Sequence, residues 1–297
     1  MQAVYNWHIT EMCNYNCSFC FAKWNSPKKV WNVPEIWSNP EIVHKILSEL
    51  SSKEAISRKF CETVTSARIN FAGGEPLLLG NEFLAIVKHV SEMGFETSII
   101  TNGSLLNRSR GIYKYISTLG LSVDSLNADT CRKMGRCDRS GTVLELGRIK
   151  ELLDTARAEN PDIAAKFNVT VNEHNHKECV VGRLQELSPK RIKVLRQLPF
   201  NGNLGISDEM YSEFKRINEE YFGENTVVED NEDMTQSYLM IDPYGRFFQN
   251  GNVDSGGYIY SQPIHEVGLE SALSQIDFDV ERFGSRYNNT DKKEGVL

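Results

Sequence analysis

The stretch Cys13-Asn14-Tyr15-Asn16-Cys17-Ser18-Phe19-Cys20 places three cysteines in a C-x3-C-x2-C pattern within eight residues. A loop with this spacing can wrap three thiolates around one face of an iron-sulfur cube, which has four iron corners and normally takes four cysteines. One iron would then have no protein ligand. An iron with an open position can bind a small molecule and pass an electron to it. The stretch therefore predicts a cluster loop with Cys13, Cys17 and Cys20 as metal ligands.

A structural zinc site is the alternative for the same three cysteines. Such a site takes four protein ligands, usually from two C-x2-C or Cys/His pairs. The nearby histidine is His8, and the other cysteines are scattered along the chain at Cys61, Cys131, Cys137 and Cys179. The spacing favours the cluster but leaves zinc open, because short cysteine motifs also arise by chance.

A second motif, Gly73-Gly74-Glu75-Pro76, follows the run Ile69-Asn70-Phe71. Paired glycines let a backbone approach a ligand closely, and a glutamate can accept hydrogen bonds from a cationic amino group. Together the two motifs resemble the radical S-adenosylmethionine (SAM) superfamily, in which the second segment meets the methionine part of the cofactor. The resemblance implies a [4Fe-4S] cluster and SAM as cofactors.

Composition and charge limit the classes of function. The chain has 297 residues, seven cysteines, a net charge of -7 and a pI near 5.5. An acidic chain argues against general nucleic-acid or membrane-surface binding, which needs a basic face. We find no signal peptide and no apolar run near the roughly 18 residues of a membrane span, and the clustered cysteines fit a reducing compartment. We expect a cytoplasmic protein that binds neither nucleic acid nor membrane.

Strands and helices alternate along residues 1–200. Apolar runs predict six strands, at 4–9, 68–71, 97–101, 121–123, 166–171 and 191–195. Helical periodicity predicts helices at 40–60, 81–93, 107–118, 142–158 and 176–187. This alternation is typical of an α/β fold whose parallel sheet curls into a partial (β/α)6 barrel. We expect the cysteines just past the C-terminal end of the first strand, where α/β barrels keep their chemistry.

Residues 201–297 are expected to form a C-terminal extension that completes the pocket, within a single compact unit. A Gly/Asn-rich loop at 201–205 leads to a predicted helix at 207–222 and to the acidic run Glu229-Asp230-Asn231-Glu232-Asp233. Residues 237–241 and 246–248 flank Asp242-Pro243-Tyr244-Gly245, a turn sequence that predicts a β-hairpin.

Basic and polar side chains alternate with apolar ones along three predicted strands, so they share one face of each strand. These residues are Arg68 and Asn70, then Lys166, Asn168 and Thr170, then Arg191 and Lys193. In a barrel wrapped by helices that face lines the lumen. Four buried cations without carboxylate partners are costly, so we expect an anionic ligand, and a triphosphate suits Arg forks and Lys point charges. The alternative is solvated cations on half-exposed strands, or cations paired with unassigned acids.

Over nearly its whole length the chain is similar to the viperin family of radical SAM enzymes. Beyond the two motifs, the resemblance is carried by Thr101-Asn-Gly-Ser, Leu121-Ser-Val-Asp-Ser, Met134-Gly-Arg, Lys166-Phe-Asn-Val-Thr-Val-Asn, Arg191-Ile-Lys-Val, Ser237-Tyr-Leu-Met-Ile-Asp and Phe278-Asp-Val-Glu-Arg-Phe. It implies reductive cleavage of SAM, removal of the C4' hydrogen from a nucleoside triphosphate (CTP, UTP or GTP) and loss of the 3'-hydroxyl as water. The implied product, a 3'-deoxy-3',4'-didehydro nucleotide, terminates chains made by viral polymerases, which is an antiviral function.

The same resemblance assigns site residues. The SAM set is Gly73, Gly74, Glu75, Thr101, Ser122 and Arg136, and the nucleotide set is Asn6, Arg68, Asn70, Lys166, Arg191 and Lys193. Tyr238 matches a tyrosine proposed to return the hydrogen or proton, and the alternative is an aromatic that packs the core. The implied partner is an electron donor of the flavodoxin or ferredoxin type. Animal members have lysine where Arg68 stands, and a bidentate guanidinium fork need not act as a lysine does. Arg196-Gln197 also differs near the presumed base pocket, which leaves the preferred base open.

Two other functions fit parts of the pattern. Another radical SAM activity, such as a GTP cyclase or a peptide-modifying enzyme, usually carries a second cluster in a C-terminal extension, and no cysteine follows Cys179. A binding module would instead hold zinc on the three cysteines and sequester a nucleotide or an RNA end in the basic lumen.

Overall fold

The computed structural model describes residues 1–22, 34–109, 111–199, 205–250 and 258–288. The strands in these ranges are β1 (Gln2–His8), β2 (Ser66–Ala72), β3 (Glu96–Thr101), β4 (Thr118–Ser122), β5 (Ala164–Val171), β6 (Arg191–Arg196), β7 (Thr226–Glu229), β8 (Leu239–Ile241), β9 (Arg246–Asn250) and β10 (Tyr258–Pro263). The helices are α1 (Pro40–Leu50), α2 (Lys53–Phe60), α3 (Asn81–Glu92), α4 (Ala128–Lys133), α5 (Leu146–Glu159), α6 (Val180–Gln185), α7 (Asp208–Asn218), α8 (Asn231–Met234), α9 (Ile264–Val267), α10 (Leu269–Ser274) and α11 (Val280–Asn288).

The described strands form one sheet in the order β10-β9-β8-β1-β2-β3-β4-β5-β6-β7. Strands β1 to β7 pair in parallel, β8 pairs in parallel with β1, and β9 and β10 are antiparallel. The α/β class and the parallel sheet of the six predicted strands are confirmed. The sheet is not closed, since β7 and β10 lie at its two edges.

The residues assigned to the C-terminal extension add strands at both edges of the sheet. The predicted hairpin is confirmed by β8 and β9, whose register pairs Met240 with Phe248. Strand β7 was not predicted, because Thr226–Glu229 runs into an acidic stretch that has loop composition. Its parallel pairing with β6 supplies the backbone hydrogen bonds that a short polar segment cannot make alone. The predicted loop at 201–205 lies, apart from Gly205, outside the described residues.

Two helix predictions need correction. The predicted helix at 40–60 is two helices, α1 and α2, separated at Ser51 and Ser52. The predicted helix at 107–118 is wrong, because the described residues of that range form 3-10 turns, at Leu106–Arg108 and Ile112–Tyr115, before β4 begins. The Asn160 amide donates to the carbonyls of Tyr113 and Ile116 at 2.9 and 3.0 Å. Those carbonyls are therefore satisfied without a helix.

The two faces of the sheet differ as the alternation predicted. Along β5 the apolar residues Ala165, Phe167, Val169 and Val171 are buried, whereas Lys166 and the other alternate residues are half-buried. The apolar set joins the core that packs against the helices. The basic face is thereby turned to the inside of the curved sheet. None of the helices in the described ranges has the length and apolar composition that crossing a bilayer requires.

Candidate active site

The loop after β1 packs directly against the Gly-Gly-Glu-Pro loop after β2. The amide of Gly74 donates to the Thr10 carbonyl at 2.8 Å, and the amide of Glu75 donates to the Met12 carbonyl at 2.7 Å. A Cβ on Gly74 would lie 2.0 Å from the Met12 oxygen, and Gly73 has a φ of +142°. The paired glycines are therefore required by the approach of one loop to the other, a contact that the sequence analysis had assigned to the ligand.

A third loop, after α4, holds the other side of the cluster loop. The amides of Asn16 and Ser18 donate to the carbonyls of Gly135 and Met134 at 3.3 and 3.0 Å. Gly135 has a φ of +72°, and a Cβ there would lie 2.1 Å from the Asn16 oxygen. Gly135 is thus a site residue that sequence reasoning missed, although it sits inside the Met134-Gly-Arg segment.

Arg136 links the cluster loop to the end of β4. Its Nη1 donates to the Sγ of Cys17 at 3.4 Å, and its Nε lies 2.8 Å from Oδ2 of Asp124. Burial disfavours the charge, but Asp124 and Cys17 outweigh that cost and raise the pKa of Arg136. Asp124 is 1% exposed and was also missed. The available signal was an acid two residues past Ser122, at the end of a strand.

Glu75 braces three loops from a fully buried position. Its carboxylate accepts hydrogen bonds from the Thr101 hydroxyl at 2.7 Å, the Asn102 amide at 2.8 Å and the Leu77 amide at 3.1 Å. Burial raises the pKa of Glu75, and these donors oppose the rise. The structure brings Glu75 and Thr101 together, and the Glu75 carboxylate is hydrogen-bonded to the protein itself.

Ser122 and Arg136 line a small cavity beside the cluster loop. The other lining residues are Tyr15, Asn102, Val123, Asp124, Ser125, Cys131 and Leu144. The Tyr15 ring lies under the Arg136 guanidinium at 5.9 Å. The cavity therefore joins hydroxyl, amide and cationic groups at the C-terminal ends of β3 and β4.

Two of the three cysteines, Cys13 and Cys17, receive hydrogen bonds at sulfur. The Tyr15 amide donates to the Sγ of Cys13 at 3.4 Å, and Arg136 donates to Cys17, so two sulfurs receive the kind of N–H donors that anionic thiolates attract. Cys13 is exposed and Cys17 is buried. Within the described ranges no three His, Cys, Asp or Glu side chains converge on a single ion. A cube differs from a single ion because it takes each cysteine on a separate iron.

A polar row crosses the first three strands below these loops. Asn70 donates from Nδ2 to the Asn6 Oδ1 at 2.7 Å, and Ser98 donates to the Asn70 Oδ1 at 2.9 Å. The register places the three residues side by side on β1, β2 and β3. The buried Nδ2 of Asn6 has no hydrogen-bond partner among the described residues. This amide is thus a buried donor that no described residue uses.

The four predicted lumen cations lie close enough to repel one another. Lys166 pairs in register with Arg191, and Lys193 lies two residues further along β6 on the same face. Burial lowers the pKa of Lys166 well below its usual value, and Lys193, Arg68 and Arg191 lower it further. Arg68 also reaches Glu96, with Nη1 3.6 Å from Oε1. The structure therefore brings these cations together on one inner face.

The expectation that the lumen cations have no carboxylate partner is wrong for Arg68, which contacts Glu96, and for Lys193. Its Nζ lies 2.5 Å from Oε1 of Glu229, at the end of the unpredicted strand β7. Lys193 and Glu229 are only 6% and 3% exposed. Burial lowers the pKa of Lys193 to about 8 against the opposing pull of Glu229. Burial acts to raise the pKa of Glu229, but Lys193 and Arg286 outweigh it and hold that pKa at about 2.

Tyr238 belongs to the same group. Its hydroxyl donates to Oε2 of Glu229 at 2.6 Å and accepts from Lys193 at 2.9 Å. Arg286, on α11, also donates to this hydroxyl, and its guanidinium lies 4.0 Å from the Tyr238 ring centroid. Tyr238 therefore faces the cations with its hydroxyl, while its ring also packs against Met240, Phe248 and Tyr258. Both interpretations of Tyr238 thus describe part of its surroundings.

Comparison with known proteins identifies the family. The profile described as "Radical SAM superfamily" matches residues 7–171. The S-adenosylmethionine-dependent nucleotide dehydratase of Fibrobacter sp. (strain UWH6) is 42% identical over 96% of this chain and 88% of its own length. The protein of the same name from Pseudoalteromonas ulvae is 36% identical over 97% of this chain and 94% of its own. The chain belongs to the radical SAM superfamily, in the family of these dehydratases.

Solved radical SAM structures confirm the fold. The structure described as native anSMEcpe with bound AdoMet aligns with a TM-score of 0.63 at 13% identity, over 93% of this chain and 81% of that one. SuiB of Streptococcus suis bound to S-adenosylmethionine aligns with a TM-score of 0.57 at 15% identity, over 95% and 67%. The cofactors of the superfamily are a [4Fe-4S] cluster and SAM. The cluster loop and the Gly-Gly-Glu-Pro loop thus occupy adjacent strand ends in a radical SAM enzyme.

Proposed function

We propose that this radical SAM enzyme removes water from the ribose of a nucleoside triphosphate, CTP, UTP or GTP, and forms the 3'-deoxy-3',4'-didehydro analogue. The analogue would act as a chain terminator in antiviral defence. The names of the curated relatives support a nucleotide substrate and the loss of water. The triphosphate rests on one observation, the convergence of Arg68, Lys166, Arg191 and Lys193 on one inner face of the sheet.

At one end of the proposed site, Cys13, Cys17 and Cys20 would hold the cluster. When bound, the cluster and SAM supply a radical that takes a hydrogen atom from the substrate. The residues proposed for SAM are the backbone of Gly73, Gly74 and Glu75, with Thr101, Ser122 and Arg136. Their contacts support this role, because Glu75 fixes the loop through Thr101 and Arg136 fixes Cys17.

At the other end, we propose that the cations hold the phosphates and that the polar row holds the sugar. Arg68 lies four residues before the end of β2, which is about 13 Å of strand. Asn6, Asn70 and Ser98 lie between the level of Arg68 and the C-terminal end of β2. Asn6 offers the unused Nδ2 donor described above. A ribose hydroxyl is a suitable acceptor for it. This spacing supports a nucleotide whose ribose faces the SAM end while its phosphates reach the cations.

The proposed reaction balances for one nucleotide. A hydrogen atom leaves C4', and the 3'-hydroxyl leaves with one proton as water. One electron from an external donor then completes the C3'–C4' double bond. We propose Tyr238 as the source of the proton, because its hydroxyl lies between the charged groups of Lys193 and Glu229.

We infer that the electrons come from a flavodoxin or ferredoxin in a reducing compartment, the cytoplasm. Met12 and Phe21, beside the cluster loop, are exposed apolar side chains. Lys133 and Arg139, on the segment that contacts the loop, are exposed cations in a chain of net charge -7. Such a surface suits an acidic redox protein, since complementary charges steer encounters.

We also propose that residues 201–297 complete the nucleotide site of the core formed by residues 1–200. Support comes from Glu229, Tyr238 and Arg286, all from the later part of the chain and all in contact with one another beside Lys193. Among the described residues, Glu229 is the carboxylate that contacts Lys193. Removing residues 201–297 would remove this contact.

The test is anaerobic reconstitution followed by incubation with SAM, dithionite and each triphosphate separately. We expect a brown protein that releases 5'-deoxyadenosine and a nucleotide that is lighter by one water in the mass spectrum. Cys17→Ala should abolish both products, whereas Cys61→Ala, an exposed cysteine outside the loop, should leave them unchanged. A colourless protein that retains one zinc would support the binding module instead. Release of 5'-deoxyadenosine without nucleotide dehydration would point to another radical SAM activity.

Lys193→Ala tests the nucleotide end separately. A lost charge-assisted contact should weaken triphosphate binding by roughly 1 to 3 kcal/mol. Titration calorimetry with the triphosphate that gives product measures this directly. Unchanged affinity would mean that the phosphates do not bind at the lumen cations.

A further inference from the structure

Glu229 is a residue that neither motif nor resemblance assigned, yet it lies at the centre of the proposed nucleotide site. It closes strand β7, and its register partner on β6 is Leu195, two residues past Lys193. The side chain is almost completely buried. A buried carboxylate is costly unless it is paired and hydrogen-bonded, so its contacts must compensate for its burial.

Three donors from three separate segments meet this carboxylate. Lys193 of β6 lies 2.5 Å from Oε1, and both Arg286 of α11 and Tyr238, which precedes β8, contact Oε2 at 2.5 and 2.6 Å. Arg286 is further held by the Ser237 hydroxyl at 2.9 Å. The three donors lie far apart in the sequence, on β6, before β8 and on α11. The Glu229 carboxylate therefore contacts all three groups, and two of them, Lys193 and Arg286, also donate to the Tyr238 hydroxyl.

From this geometry we infer that Glu229 is the positioning residue of the nucleotide site, which holds Lys193, Tyr238 and Arg286 at the lumen wall and keeps Lys193 charged. The inference rests on the proposed function, since it concerns the same phosphate-binding cations. Glu229 itself is not expected to touch the substrate. It acts through Lys193.

The charges around Lys193 explain why it needs this support. Its pKa is lowered first by burial, and Arg286 and Arg191 lower it further, while Glu229 raises it. Lys166 and Arg68 belong to the same group of lumen charges, and Tyr238 donates to Glu229. With Glu229 present the pKa of Lys193 is about 8, so the ammonium is mostly protonated at neutral pH. Without a carboxylate at this position, burial, Arg286 and Arg191 all favour the neutral form of Lys193, and its Nζ keeps the Tyr238 hydroxyl as an acceptor.

The experiment compares nucleotide binding by the reconstituted wild-type and Glu229→Gln enzymes between pH 6.5 and 8.5. The quantity of interest is the ratio of their dissociation constants at each pH, because titration of the nucleotide phosphate affects both proteins equally. If the pKa of Lys193 falls by one unit or more, the ratio should rise about sixfold or more across this range. Glu229→Asp, which keeps a carboxylate, should restore much of the wild-type profile.

The controls separate this inference from general damage and from the proposed function. Asp242→Asn removes another buried carboxylate, which pairs with Arg246 at 2.6 Å rather than with a lumen cation. Its ratio to wild type should stay constant with pH. A constant ratio for Glu229→Gln, or equal profiles for Glu229→Gln and Glu229→Asp, would overturn the inference. Failure of the wild-type enzyme to bind any triphosphate would instead overturn the proposed function.

Discussion

Arg136 and Asp124 form a buried ion pair beside the cluster loop, with Nε of the arginine 2.8 Å from Oδ2 of the aspartate. Because the same guanidinium donates to Cys17, we predict that Arg136→Gln impairs both folding and cluster loading. Leaving Asp124 buried without its partner should cost about 3 to 5 kcal/mol in the free energy of unfolding. Chemical denaturation of the apo-protein and iron content after reconstitution measure the two effects.

A double variant separates the ion pair from the sulfur contact. Arg136→Gln combined with Asp124→Asn removes both charges, so its loss of stability should be smaller than the sum of the two single losses. Its iron content should stay low, since Cys17 still lacks the donor. Additive losses would show that the pair contributes nothing to folding.

Gly74→Ala should disrupt the cluster loop through the backbone alone. The new Cβ would meet the Met12 carbonyl at 2.0 Å, so one of the two loops must move. Overpacking of this kind costs about 1 to 3 kcal/mol, and we expect a marked loss of iron in the reconstituted protein. Gly147→Ala is the matched control, because no atom lies within 4 Å of its Cβ. The prediction fails if both variants load iron equally.

Lys166→Met should make the nucleotide-free protein more stable and a weaker binder. The pKa of Lys166 is lowered by burial and by neighbouring cations, so the folded protein releases this proton at a lower pH than the unfolded chain does. Unfolding therefore takes up a proton between the two pKa values, and the free energy of unfolding rises with pH across that window. Methionine at this position removes the pH dependence of the free energy of unfolding and the energetic cost of burying a cation. Binding of the triphosphate should weaken by about 1 to 3 kcal/mol, because one charge-assisted contact is lost.

Urea unfolding at several pH values from 6.5 to 9, together with calorimetry of triphosphate binding, tests both halves of that statement. Lys88→Met is the control, since Lys88 is exposed and pairs with Glu92 on its own helix at 3.8 Å. An unchanged pH slope in Lys166→Met would show that Lys166 titrates normally in the folded protein.

Tyr238→Phe should uncouple the two halves of the reaction. The ring keeps its packing, but the hydroxyl between Lys193 and Glu229 is lost. We expect SAM cleavage to continue while nucleotide product falls at least tenfold, so that the ratio of 5'-deoxyadenosine to product rises. Quantification of both by mass spectrometry gives this ratio. An unchanged ratio would assign Tyr238 to packing alone.

Much of the site was predictable because its motifs are local. The C-x3-C-x2-C spacing, the Gly-Gly-Glu-Pro turn and the two-residue period of Lys166, Asn168 and Thr170 depend on residues near one another in the chain. The structure brings these groups to neighbouring strands. The paired glycines were predicted to let the backbone approach a ligand. In the structure Gly74 instead accommodates the Met12 carbonyl.

The missed features all depend on contacts between distant segments. Gly135 packs against Asn16, and Glu229 pairs with Lys193 at 2.5 Å. In the segment predicted to be a helix at 107–118, Asn160 instead takes up the carbonyls of Tyr113 and Ile116. No local pattern reports such partners, because they depend on how whole strands and loops pack.

The sequence alone determined the cofactor loop, the parallel α/β class and the inward row of cations, because spacing and strand periodicity are properties of short segments. Only the tertiary structure decided how those cations are balanced. Glu229 stands 36 residues beyond Lys193 in an acidic run that reads as a loop, and it reaches the lysine only because β7 pairs with β6 in a defined register. Charge pairing in a protein interior is set by strand register and burial, which no stretch of sequence contains by itself.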